Sequence, residues 1–229
     1  MLRLLIACMT LAFPAGADCR LALALAVDVS RSIDAADYVI QTEGLAAALE
    51  DPEVVAAILS PAGDVALSVY YWSGESHQEL VVPWTVIHSL PELAAVVAQV
   101  RERERPQVNL ATALGWSLIY AGDLLAEAPT CDRRVLDVAG DGRNNEGISV
   151  RTAYKRVDFG DTVVNGLAIG EHEMAVADYY RDEVIRGIGA FVELAPRMTD
   201  YPRAIRRKLL RELNGPLLGR LGPTADPRG

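Results

Sequence analysis

Two apolar rhythms alternate along this chain. Short unbroken runs end in clusters of turn residues, and longer stretches space their apolar positions at helical intervals. The first short run, Leu21–Val27, is apolar on both faces, as in the middle of a parallel sheet. Asp34 then has the character of a helix N-cap, with Asp37 three positions on. Tyr38, Leu45 and Leu49 continue one helical face behind it. Val65–Trp72 and Gln78–Trp84 predict two strands joined by "SGESH" as an antiparallel hairpin. Pro83 cannot donate to a ladder, so the second of these belongs at a sheet edge. Helices are predicted over Pro91–Glu104 and Leu110–Ala126. A strand follows over Arg134–Ala139, ending in the turn-forming stretch "GDGRNNEG". The pattern then gives a helix at Ser149–Phe159, a strand at Thr162–Ile169 and a helix at Val176–Ile185. A short strand at Ala190–Leu194 and a helix at Tyr201–Leu213 complete it. Strands alternating with helices predict an α/β fold: a doubly wound, mostly parallel sheet with one antiparallel edge hairpin. In such sheets ligands bind beyond the carboxyl ends of the strands.

Composition narrows the partners. The 229 residues suit one domain, and the formal charge of −9 disfavours nucleic acid and anionic membrane surfaces. The start of the chain stands apart. "MLR" is positive, "LLIACMTLAF" is apolar, and "AGA" at Ala15–Ala17 supplies small residues, the pattern of a secretory signal peptide over residues 1–17. The rival reading, a lipoprotein signal acylated at Cys8, leaves too short an apolar stretch before the cysteine. Cleavage after Ala17 would remove Arg3 and leave the mature chain one unit more negative. The expected organisation is a domain over 18–214 and a Gly- and Pro-rich flexible tail over 215–229, in a periplasmic or secreted protein with no membrane span. The run "RERER" reads as a solvated helix face.

The strand ends hold the candidate chemistry. Asp28, Ser30 and Ser32 follow the first strand at alternate positions, so their side chains can converge. Asp141 follows the later strand, and Thr112 stands at the start of the Leu110 helix. Two carboxylates and three hydroxyls form an all-oxygen set suited to a hard divalent cation: Mg²⁺ first, with Mn²⁺ and Ca²⁺ as the other candidates. Alone, the Asp28–Ser32 triplet reads as a capping loop; joined to Thr112 and Asp141 it reads as a metal site.

Those residues carry a resemblance. Asp28-Val-Ser30-Arg-Ser32, Thr112 and Gly140-Asp141-Gly142 resemble the metal-ion-dependent adhesion site of von Willebrand factor A domains. "CRLALALAVDVSRSID", "VALSVYYWSG", "ATALGWSLIYA" and "CDRRVLDVAGDGRNNEG" resemble a bacterial family of exported A-domain-like proteins of unknown function. Asn109-Leu110-Ala111 departs from that family, which tends to have glycines before the threonine. The resemblance implies a binding module, not an enzyme, in which a partner protein's Glu or Asp completes the ion's coordination. A site with few anionic ligands leaves the ion net positive charge to attract that carboxylate.

Other readings fare worse. A phosphatase of the haloacid dehalogenase type is the alternative, since "GDGRNN" is close to its later loop. Its chemistry needs a second aspartate two residues after the nucleophile, where this chain has Ser30, and a lysine before the Gly-Asp-Gly loop, where it has none. No glycine-rich turn follows the first strand and no G-x-S-x-G elbow occurs. His77, His88 and His172 lack metal-ligand spacing; "EHE" at Glu171–Glu173 has groups that could bind metal, but a solvated loop is the favoured reading.

Cys19 and Cys131 remain after cleavage, either as an oxidised pair or as two small hydrophobes. If the strands carrying Asp28 and Asp141 serve one ion and lie parallel and adjacent, their amino ends sit roughly 5 Å apart, within reach of a disulfide.

Overall fold

The computed structural model describes residues 19–106, 110–170, 172 and 175–215. The signal segment, Asn109, Glu171, Glu173 and the tail beyond Gly215 lie outside the described residues.

Leu21–Val27 lies within the central strand β1 (Cys19–Asp28). It pairs in parallel with β2 (Asp64–Trp72) on one side and β4 (Arg134–Gly140) on the other. Beyond β2 runs the antiparallel β3 (Gln78–Ile87), which holds Pro83 at the sheet edge as its missing N–H demands. Beyond β4 come β5 (Val163–Ile169) and β6 (Val192–Ala195), both parallel. The order is β3-β2-β1-β4-β5-β6, so the direction of winding reverses between β1 and β4. Asp28 and Asp141 stand at the carboxyl ends of those two strands.

The period of two along β1 sends larger and smaller side chains to opposite faces. Leu21, Leu23, Leu25 and Val27 pack in a core with residues of α1 (Ala35–Glu50), α2 (Pro52–Ile58), α3 (Leu90–Glu102) and α7 (Tyr201–Asn214). Ala24 and Ala26 face the other core with α4 (Leu114–Ala126), α5 (Val150–Arg156) and α6 (Val176–Tyr179). Asp28 shares this second parity.

Several boundaries differ from expectation. The helix expected from Leu110 begins at Leu114, so Thr112 lies in the loop before it. The one expected over Val176–Ile185 is α-helical only to Tyr179 and continues as a π-helical turn, Tyr180–Val184. The last strand is Val192–Ala195, and Cys19 begins β1 rather than preceding it.

Two features tie the sheet to its surroundings. Lys208 of α7 is fully buried, 2.8 Å from Asp137 of β4 and 2.5 Å from Glu212. Burial pushes the Asp137 carboxyl up to about 7 against the pull of Lys208. At the amino ends of β1 and β4, Cys19 and Cys131 form a disulfide with Cα atoms 4.5 Å apart.

Candidate metal centre

Three segments meet above the carboxyl ends of β1 and β4. The first is the turn after β1. Its form follows from Asp28, whose Oδ1 accepts the Ser30 N–H at 2.7 Å, while the Ile33 N–H closes on the Ser30 carbonyl. Asp34 then caps α1, accepting from the N–H groups of Ala36 and Asp37. The second segment, before α4, is bound to the first by the Arg31 N–H on the Leu110 carbonyl. The third is the loop after β4. Its Asn145 makes a reciprocal pair with Thr112, receiving the Thr112 N–H on Oδ1 and giving its own N–H to the Thr112 carbonyl, both at 2.9 Å. Asn144 Oδ1 accepts the Gly115 N–H, satisfying one open donor at the start of α4.

All five sequence-predicted residues come together here. Thr112 Oγ1 is 3.3 Å from Ser30 Oγ, which is 3.3 Å from Ser32 Oγ, which donates to Asp141 Oδ1 at 2.8 Å. Asp28, Ser30, Thr112 and Asp141 are buried, whereas Ser32 is exposed and marks the open side. Each carboxylate spends one oxygen on these bonds. The other oxygens, Asp28 Oδ2 and Asp141 Oδ2, are buried with no hydrogen-bond partner among the described residues. Burial, reinforced by the nearby Asp141 charge, pushes the Asp28 carboxyl up to about 8. Burial raises Asp141 as well, opposed chiefly by the Ser32 hydroxyl.

Two buried, unpaired carboxylate oxygens beside a chain of hydroxyls suit a divalent cation, which would neutralise both and remove the cost of their burial. The set is poor in charge. Among the described residues, no group of three or more His, Cys, Asp or Glu side chains is placed to hold a metal. A cation here would therefore rely on hydroxyls and water.

Sequence reasoning missed several neighbours. Tyr180, at the π-helical turn, is fully buried and its hydroxyl is unpaired. A Cβ at Gly140 would lie 2.6 Å from that hydroxyl and 2.9 Å from Asp28 Oδ2, so only glycine lets these groups approach. Asn144 and Asn145 were visible only as turn residues. His172 stands at the rim, its Nε2 3.8 Å from Asp141 Oδ2.

A family model described as "Protein of unknown function (DUF1194)" matches residues 18–217. The chain belongs to this family. The search of curated proteins gave no match for this DUF1194 chain. Among solved structures it is similar to proximal thread matrix protein 1 from the mussel byssus, in a form "with zinc occupied MIDAS motif" (TM-score 0.60, 12% identity, 86% of this chain and 48% of that one). It is also similar to the conserved hypothetical protein BatB from Bacteroides thetaiotaomicron (0.57, 13%, 85% and 100%). A third is the PilB minor pilin from Streptococcus sanguinis (0.64, 12%, 88% and 64%). The chain spans about half the length of the mussel proteins it matches. At these identities the likeness establishes the fold, which is von Willebrand factor A-like. Among the described residues no helix is long and apolar enough to cross a membrane.

Proposed function

We propose that this DUF1194 protein is an exported, metal-dependent protein-binding module. A divalent cation is held by Asp28, Ser30, Ser32, Thr112 and Asp141 and offers its open side to a Glu or Asp of a partner protein. The observation that carries this reading is the pair of buried, unpartnered oxygens, Asp28 Oδ2 and Asp141 Oδ2, beside three linked hydroxyls. Mg²⁺ is the first candidate, because hard cations favour oxygen donors, with Mn²⁺ and Ca²⁺ next. The zinc-occupied motif of the mussel protein supports a cation at this place in the fold. Export to the periplasm or beyond is supported by the leader pattern and by the disulfide, which oxidising compartments favour. The pilin and byssus neighbours support binding over catalysis. The phosphatase alternative gains nothing, since Ser30 occupies the place of its general acid.

Thermal melts with and without Mg²⁺ test the site. At an ion concentration about 100 times Kd the folded state gains ~2.7 kcal/mol, a rise of roughly 5–10 °C for a domain of this size. Asp141→Ala is expected to abolish the rise; an unchanged response would remove Asp141 from the site. Pull-down from envelope extract with and without chelator then tests the partner. Asp28-dependent hydrolysis of a generic phosphate ester would overturn the binding-module reading.

A further inference from the structure

His172 follows β5 in the loop that begins at Gly170, whose N–H is anchored on the Ala195 carbonyl. This loop leaves the same end of the sheet as the Asp28 and Asp141 loops, and His172 overlooks the cluster from its solvent side. The imidazole is about half exposed. Its Nε2 lies 3.8 Å from Asp141 Oδ2, which has no hydrogen-bond partner among the described residues, and this is too far for a hydrogen bond. The separation nevertheless falls within the roughly 4.2 Å spanned by two ligand atoms each about 2.1 Å from one zinc-sized ion.

We propose that His172 supplies an imidazole nitrogen to the cation bound at Asp141, and so tilts an otherwise all-oxygen site from Mg²⁺ towards Zn²⁺. The proposal rests on reading this cluster as a cation site. The chemistry is that of ligand softness. Nitrogen donors raise affinity for Zn²⁺ far more than for Mg²⁺, which holds its oxygen ligands and waters. The "EHE" stretch thereby has a role beyond a solvated loop, carried by its histidine.

Calorimetric titration of the wild type and His172→Ala with Zn²⁺ and with Mg²⁺ provides the test. The expected result is a loss of Zn²⁺ affinity of about tenfold or more, on the scale of losing a metal-supporting partner, with Mg²⁺ affinity unchanged. Pulsed electron paramagnetic resonance of the Mn²⁺-loaded protein is expected to show a histidine nitrogen coupling that His172→Ala removes. Equal losses for both ions, or a spectrum without that coupling, would overturn the role of His172. Zn²⁺ binding that survives Asp141→Ala would place the ion elsewhere and overturn it too. A wild type that binds neither ion would instead sink the cation-site reading itself.

Discussion

At Asp28, burial and the neighbouring Asp141 charge act in the same direction, holding the carboxyl near 8, well above the ordinary carboxylate at about 4. Between those values the folded, metal-free protein keeps a proton that the unfolded chain has released. Stability without metal is therefore expected to fall as pH rises from about 4 to 8. On the proposed reading a cation would take the proton's place, so the thermal rise expected with Mg²⁺ should grow over the same window. Melts at pH 5 and pH 8, with chelator or with Mg²⁺, measure both slopes. An equal Mg²⁺ response at the two pH values would show that Asp28 needs no deprotonation to bind the ion. Asp28, Ser30 and Ser32 were legible because their spacing is local and falls at the end of an apolar strand. Tyr180 was not, since nothing around it in sequence betrays that Gly140 admits its hydroxyl to Asp28. Asn145 looked like a turn residue because its bond to Thr112 joins positions far apart in the chain.

The same distinction between local and distant causes holds for the elements. The apolar pattern of Leu110–Ala126 is continuous, yet α4 starts only at Leu114. The preceding residues are drawn off by bonds to other loops, with the Ala113 N–H on the Ser73 carbonyl and Thr112 paired to Asn145. By contrast the start of α2, a helix the apolar pattern left unread, is set locally. Asp51 accepts from the N–H groups of Glu53 and Val54, and Pro52 occupies the first turn, where its lost donor costs nothing. The position that joins α4 to the site is Gly115. A Cβ there would fall 2.1 Å from the Ile148 carbonyl oxygen, a backbone atom that a rotamer change cannot move. Gly115→Ala must push the start of α4 away from the loop after β4. That strains the Asn144 and Asn145 bonds that hold Thr112. The expected cost is about 1–3 kcal/mol of stability, as for other overpacked sites, together with weaker Mg²⁺ binding. Denaturant unfolding and calorimetry on one preparation would measure both. A variant that loses stability but binds Mg²⁺ as the wild type does would show that Thr112 is dispensable to the ion.

For the molecule as a whole, alternating strands and helices carried the layer architecture, and Pro83 marked the antiparallel edge. The place of β6 beyond β5 was not legible, because a strand as short as Val192–Ala195 owes its position to pairing rather than to pattern. The parallel pairing of β1 with β4 has consequences at both ends of the sheet. At one end it gathers Asp28 and Asp141, and at the other it brings Cys19 to Cys131. The bridge spans a sequence separation of 112 residues, for which the chain-entropy model gives up to ~4–5 kcal/mol of stabilisation. Little of that energy should reach the metal. The register between β1 and β4 is also held by their ladder from Ala22 to Val27 and by the Asp132 N–H on the Cys19 carbonyl. Cys131→Ser is therefore expected to lower the melting temperature by up to roughly 10–20 °C, while Mg²⁺ affinity, measured well below the new midpoint, stays within about threefold. Thiol counting on the denatured, unreduced wild type checks the premise, and two free thiols per mature chain, which lacks Cys8, would remove it. A large loss of Mg²⁺ affinity in a Cys131→Ser protein that is still folded would mean that the strand ladder alone cannot hold Asp28 against Asp141, and that the bridge sets the site's geometry across the length of the sheet.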